Sequence, residues 1–207
     1  MKLKTFHSGA LGANCYVIIN EENDEAIAVD IGGDASLLKL AELKDGFKIK
    51  TVLLTHAHFD HIGGVAEFIK GGGVSVYIGK KDEPKIYDPD LNLSSYFSEE
   101  TQPFKVDGTF VGGEKLSFSG INVEVIATPG HTDGGVTYKI KDMLFCGDTL
   151  FAGSFGRVDF PSGNVKDLVK SAKKLFACGG TLYPGHGEPA DVNYEKEHNP
   201  ILNYADY

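Results

Sequence analysis

Apolar residues in this chain come mostly in short runs separated by polar turns, with a few stretches at helical spacing. Cys15 to Ile19 and Ala26 to Ile31 are apolar, β-branched runs on either side of the polar turn Asn20-Glu-Glu-Asn-Asp24, which predicts two adjacent strands. Ala35 to Lys44 reads as a helix. Thr51-Val-Leu-Leu-Thr55 is a continuous apolar run, as expected of a strand covered on both faces. A second helix is predicted to begin near His61, to run through Phe68-Ile69 and to stop at Gly71-Gly72-Gly73; Val74 to Ile78 is a further strand. Residues 80–103 carry Pro84, Pro89 and Pro103 among many polar groups, which predicts an irregular excursion with at most one short helix.

The second half repeats the style. Glu114 to Phe118, Val123 to Ala127, Val136 to Ile140 and Met143 to Cys146 read as strands. Val165, Leu168, Val169, Ala172, Leu175 and Phe176 recur at helical spacing, and Gly179-Gly180 ends that helix. Leu182-Tyr183 is a last strand, and a polar helix is expected from about Val192. No linker, low-complexity stretch or short repeat divides the halves, so residues 1–207 are expected to form one domain of mixed α and β structure.

Composition narrows the class. A chain of 207 residues with 42% hydrophobic and 24% charged residues can bury a core without disulfides and shows no sign of disorder. Twenty Lys and Arg stand against 29 Asp and Glu, a formal charge of -9, and no run of basic residues offsets it. That field repels a phosphate backbone, so nucleic acid is not an expected partner. The three cysteines, Cys15, Cys146 and Cys178, have no CxxC spacing and suit a reduced compartment. With no apolar leader at Met1 to Gly9 and no membrane-length apolar window, a cytoplasmic location away from the membrane is expected.

The strongest chemical signal is Thr55-His56-Ala57-His58-Phe59-Asp60-His61, placed where the predicted strand gives out. Residues two apart in an extended segment point the same way, so His56 and His58 can grip one ion. Asp60 and His61 follow as the chain turns and can face a second ion nearby. A lone histidine is usually a surface or core residue, but three within six positions beside an aspartate are not readily explained that way. Three further candidates each follow an apolar strand in a glycine-containing turn: His131 in Thr128-Pro-Gly-His-Thr132, Asp148 in Phe145-Cys-Gly-Asp-Thr149, and His186 in Tyr183-Pro-Gly-His-Gly187. Singly, each reads equally well as a turn cap or a loop histidine. Together with the first motif they point to one metal-binding constellation. His7 and His198 lack such context and read as structural or solvated, and the cysteines as small core residues.

The segments THAHFDHIGG, TPGHTDGGVTY, FCGDTLFAGSFGR and YPGHG, in that order, resemble the metallo-β-lactamase superfamily, and within it the glyoxalase II-like (hydroxyacylglutathione hydrolase-like) branch. The resemblance implies a four-layer αββα sandwich. It also implies that His56, His58 and His131 bind one metal and Asp60, His61 and His186 another, with Asp148 bridging. Such donors suit zinc, the default here, and also iron or manganese. Two cations about 3.5–4 Å apart can share a water and lower its pKa from about 15.7 to about 7, giving a metal-bridging hydroxide that attacks a thioester or ester. Asp60 is expected to orient that nucleophile or shuttle its proton, and Thr55 and Thr149 to be neighbours of the histidines.

Substrate is less sharply implied. Glutathione-using relatives carry an additional helical domain, and the chain runs only about twenty residues beyond His186. They also place a basic residue and, two positions on, an aromatic after the bridging aspartate. The corresponding positions here are Arg157 and Asp159, so Arg157 either grips a substrate carboxylate or pairs with Asp159. The small-molecule substrate is therefore expected to be a thioester without a settled glutathione requirement. The alternative is a mononuclear-iron persulfide dioxygenase, whose segments resemble Thr128 to Gly134 and Gly156 to Phe160, but the Asp60-His61 pair and the PGHG ending favour two metals. A β-lactamase would lack the bridging aspartate. Nothing in the sequence sets an oligomeric state.

Overall fold

A computed structural model describes residues 1–9 and 11–204. Among them, one six-stranded sheet is formed in order by β1 (Lys2–Ser8), β2 (Ala13–Asn20), β3 (Glu25–Val29), β4 (Lys48–Leu54), β5 (Ser75–Gly79) and β6 (Gly108–Phe110). The second sheet holds β7 (Lys115–Phe118), β8 (Ile121–Ala127), β9 (Val136–Ile140) and β10 (Met143–Gly147). A small hairpin follows, β11 (Leu150–Phe151) and β12 (Ser154–Phe155), and then β13 (Thr181–Pro184) and β14 (Ala190–Asp191) rejoin the second sheet. Its spatial order is β14-β13-β10-β9-β8-β7. Both sheets are mixed: β3 to β6 pair in parallel, as do β10 and β13.

Why four layers form is visible in the alternation along single strands. On β2, Cys15, Val17 and Ile19 join one buried cluster while Tyr16 and Ile18 join another. On β4, Val52 and Leu54 go one way and Leu53 the other. On β10, Phe145 shares the cluster of Tyr16 and Leu53, whereas Leu144 and Cys146 point to a third. Successive strand residues face opposite sides, so a strand apolar at every position must be covered twice. The cluster of Tyr16, Leu53, Tyr138 and Phe145 lies between the sheets, and the outer two clusters lie under helices.

The helices are α1 (Ser36–Asp45), α2 (Phe59–Ile62), α3 (Val65–Ile69), α4 (Ser94–Phe97), α5 (Val165–Cys178) and α6 (Val192–His198). Leu38, Val65 and Phe68 of α1 and α3 cover the first sheet, and Leu168, Ala172, Leu175, Phe176 and Val192 of α5 and α6 cover the second. Asn164 caps α5, its side chain accepting from the Asp167 N–H. The expected four-layer αββα sandwich is thus the observed fold, and no described helix is long and apolar enough to cross a membrane.

Three details differ from the sequence reading. The single helix expected from His61 to Ile69 is two short ones, broken at Gly63-Gly64. A Cβ at Gly64 would sit 1.9 Å from the Gly33 carbonyl oxygen, so this turn lies against the 32–33 backbone. The 80–103 excursion holds a 3₁₀ turn at Glu83–Tyr87 as well as α4, rather than at most one helix. The short strands β6, β11, β12 and β14 gave no apolar run long enough to be read.

Leu175 is fully buried at the centre of the α5 face. Leu175→Ala is expected to cost about 2–5 kcal/mol, the range for a buried leucine cavity, measured as a shift in urea midpoint; a change below about 1 kcal/mol would contradict this packing.

Candidate metal centre

The sheets meet along one rim where β4, β8, β10 and β13 end, and each ending delivers a polar side chain. Beyond β4 come His56, His58, Asp60 and His61; beyond β8, His131; beyond β10, Asp148; beyond β13, His186. All seven sequence candidates are brought together. Ligating atoms of His56, His58 and His131 lie within 4.8 Å of one another, as do those of Asp60, His61 and His186, and those of His56, His61 and Asp148. The rings of His56, His58 and His131 stand nearly perpendicular in pairs, with centroids 4.6–4.9 Å apart. Asp148 lies between the two triads: one carboxylate oxygen is 3.3 Å from His61 Nε2, and the other is 3.6 Å from His131 Nε2 and 3.7 Å from His186 Nε2.

Hydrogen bonds to the backs of the rings decide which nitrogen faces inward. His61 donates from Nδ1 to Asp30 Oδ2 at 2.8 Å, and His131 donates from Nδ1 to the Arg157 carbonyl at 2.7 Å. His56 Nδ1 is 3.1 Å from Thr55 Oγ1, which itself donates to Asp30 Oδ2 at 2.7 Å. A carboxylate or carbonyl behind a ring fixes its tautomer and aims the other nitrogen forward. The result is a set of buried, unpartnered atoms, His56 Nε2, His61 Nε2 and Asp148 Oδ1, while His58 turns its Nδ1 to the cluster, 2.8 Å from His131 Nε2. Buried polar atoms rarely lack a partner, and three residues that carry such atoms gathered within 4.8 Å are the arrangement a cation satisfies. The space is kept open by glycine: a Cβ at Gly185 would sit 2.2 Å from Asp148 Oδ1 and 2.6 Å from His61 Cε1.

The charges agree. Burial, reinforced by the neighbouring imidazoles, holds His56 and His58 well below the ordinary imidazole range, so they are neutral donors. His61 and His186 go the other way. Burial opposes their charged forms, but Asp60 and Asp148 hold both above that range. Despite burial, Asp60 and Asp148 are held below the usual carboxylate range, chiefly by His61, and are ionised. Two buried carboxylates beside buried imidazoles thus demand positive charge.

Not every expected contact is made. Thr55 is a direct neighbour of His56, and Thr149, whose N–H closes its own turn onto the Cys146 carbonyl, lines the same small cavity as His56 and His131. Arg157 sits at the rim with its guanidinium held by Asp159 at 2.9 and 2.6 Å, the pairing rather than the gripping arrangement. His7 is exposed on β1, and His198 donates to the Tyr194 carbonyl and stacks on that ring on α6, both away from the cluster. Cys15 and Cys146 are buried, and burial pushes the Cys146 thiol up to about 12, so it is inert packing.

The sequence reading missed the residues that hold the ligands. Asp30 ends the β3 run in a left-handed conformation (φ 56°); a charge closing an apolar run before Gly32-Gly33 was the available signal. Asp82, fully buried in the excursion, accepts from the Ala57 N–H at 3.0 Å and from Thr132 Oγ1 at 2.8 Å, and pairs with the buried Lys85. It thereby ties the His56–His58 segment to the turn carrying His131. Asn14 and Tyr16 of β2 donate to the Pro184 carbonyl at 3.0 and 2.8 Å, anchoring the His186 turn.

Comparison with known proteins gives the same picture. The model of the Metallo-beta-lactamase superfamily matches residues 8–186. Hydroxyacylglutathione hydrolase GloC of Haemophilus influenzae is 32% identical over 98% of this chain and 99% of that protein. Among solved structures, the BLEG-1 B3 metallo-beta-lactamase superposes with a TM-score of 0.92 at 33% identity, covering 97% of this chain and 99% of that one. TTHA1623, in a di-iron-bound form, does so at 0.85 and 30%, covering 98% and 100%.

Removing Asp82 leaves Lys85 buried with, among the described residues, only the half-exposed Asp133, 2.5 Å away, as counter-charge. Asp82→Ala is expected to destabilise the protein by about 3 kcal/mol, measured by urea unfolding; an unchanged midpoint would show that the tie between the two ligand segments is energetically idle.

Proposed function

The chain belongs to the metallo-β-lactamase superfamily, and from that membership we propose that it is a metal-dependent hydrolase of thioesters or related esters, with residues 1–207 acting as one catalytic domain. The observation that carries the proposal is the convergence of two donor triads on Asp148, with unpartnered ring nitrogens facing inward. The residues fit a pair of divalent cations: His56, His58 and His131 would hold one, Asp60, His61 and His186 the other, and Asp148 both. Zinc suits this mixed nitrogen and oxygen set, and the di-iron form of TTHA1623 supports iron as an alternative. Bound there, such cations supply Lewis acidity, which acidifies water near neutral pH and polarises a carbonyl.

The protein's own groups supply the rest. Asp60, ionised and with Oδ2 3.0 Å from His186 Nε2, would take a proton from the attacking water and return it to the departing sulfur. Asp30 and the Arg157 carbonyl keep His61 and His131 in one tautomer, so donor geometry does not change through the cycle. Overall, the water oxygen bonds to the carbonyl carbon, the carbon–sulfur bond breaks, and the products are a carboxylic acid and a thiol. The relationship to GloC supports a thioester as substrate, while BLEG-1 makes a β-lactam amide the competing one. A persulfide dioxygenase with one iron would leave Asp60, His61 and His186 idle, although this chain presents all three as a complete triad.

Metal analysis of the purified protein is expected to give two transition-metal ions per chain, and the metal-loaded protein to hydrolyse thioesters faster than a chromogenic β-lactam. Asp148→Ala is expected to lower metal content and to reduce turnover at least ~100-fold, beyond the upper end of what losing an outer-shell partner costs. One metal per chain with oxygen consumed on glutathione persulfide would defeat the hydrolase reading.

A further inference from the structure

Beside His58, Asp60, His131, Asp148 and His186 opens a cleft of about 240 Å³ whose lining beyond that ligand cluster is apolar except for Arg157. Three separate stretches supply them. Phe59, directly after His58, packs against Phe97 of α4 with centroids 5.0 Å apart, and Leu93 backs that pair. Phe151 and Phe155 come from the β11–β12 hairpin after Asp148, with the Phe151 ring 6.2 Å from that of His186. Phe160 closes the far side, 6.1 Å from the His58 ring. Aromatic rings thus lie against the ligand cluster at His58 and His186, where a substrate's reacting carbon would have to sit.

Charge is arranged to match. Arg157 is the one Lys or Arg among the described residues that line this cleft. Its guanidinium is taken up by both Asp159 oxygens and lies 4.2 Å above the Phe160 ring, so it serves as part of an aromatic wall. An anionic substrate tail would have to displace Asp159 and would meet that carboxylate's own charge. Phe97 at 43% and Leu11 at 46% exposure leave apolar surface at the mouth that only an apolar ligand would cover.

We propose, resting on the hydrolase reading above, that this cleft selects uncharged thioesters or esters bearing a small aromatic or branched aliphatic group, and not the glutathione peptide with its two carboxylates. The volume lies below the roughly 300–1,000 Å³ of sites that enclose drug-sized ligands, so the group is about one ring with a short acyl chain. The bond broken is the same carbon–sulfur or carbon–oxygen bond, with water supplying the new oxygen and the departing thiol or alcohol keeping one proton.

Binding is measured first, by titration calorimetry on metal-loaded protein, with two thioethers that cannot be hydrolysed: benzyl methyl sulfide and S-methylglutathione. The neutral aryl thioether is expected to bind at least tenfold more tightly, and Phe97→Ala and Phe160→Ala to weaken it at least fivefold with metal content unchanged. Kinetics then compare S-phenyl thioacetate with S-D-lactoylglutathione, with kcat/KM expected to be at least tenfold higher for the first. Asp159→Asn, which loosens Arg157, is expected to narrow that ratio by raising turnover of the glutathione thioester. Equal or tighter binding of S-methylglutathione, or preferred turnover of S-D-lactoylglutathione, would overturn the proposal. If neither thioester is hydrolysed but the aryl thioether still binds preferentially, the cleft inference stands and the hydrolase reading fails.

Discussion

The rest of this structure depends on one constraint, the compensation of buried negative charge where the two sheets meet. Asp30, Asp60 and Asp82 are almost wholly removed from solvent and Asp148 nearly so, in a chain already carrying a formal charge of -9. A buried carboxylate is tolerable only when cations or several hydrogen-bond donors face it. Asp82 meets that demand with Lys85, a backbone N–H and a hydroxyl. Asp30 meets it with His61, Thr55 Oγ1 and the Thr55 N–H. Asp60 and Asp148 face imidazoles, and without a metal only protons on His61 and His186 balance them. Cation binding and the integrity of this rim are therefore coupled: what replaces those protons also stabilises the fold that presents the donors.

The rim is rigid because strands from both halves hold it. Val136 donates from its backbone N–H to the Thr55 carbonyl at 2.9 Å, and Tyr138 donates to the Leu54 carbonyl at 2.7 Å, so the second sheet grips the end of β4. Asn14 and Tyr16 return the favour on the His186 turn from the first sheet. Neither half could hold its ligands alone. A small shift of one sheet over the other would separate the triads, and the interlocked aromatic seam of Tyr16, Phe145 and Tyr183 opposes such a shift.

How much of this was legible follows from how local each signal is. His56 to His61 could be read because four donors fall within six residues, and the turns at His131, Asp148 and His186 because each follows a strand in the company of glycine. The apolar strand runs were legible for the same reason, and so were the layers once the family resemblance supplied the topology. Asp30 and Asp82 were not, because their meaning lies in partners far along the chain: Asp30 acts on His61, and Asp82 on Ala57 and Thr132. Alone in a sequence, each looks like a turn cap. The two short helical pieces between Glu83 and Phe97 were illegible because one helical turn has no period to detect.

Chemistry and specificity are consequently written in different parts of the chain. The donors sit at the ends of long buried strands, where position is dictated by the core and tolerates little change. The groups that would touch the rest of a substrate, Phe97 on α4, Phe151 and Phe155 on a hairpin of two-residue strands, and Arg157 with Asp159 beyond it, sit on short elements outside the two main sheets. Such elements can be exchanged without disturbing the sheets. The Arg157–Asp159 pair shows how little is required. One carboxylate two residues along takes up the Arg157 guanidinium over the Phe160 ring, while the Arg157 carbonyl holds His131 in place. A single residue can therefore redirect what the site accepts while the machinery that breaks the bond stays fixed.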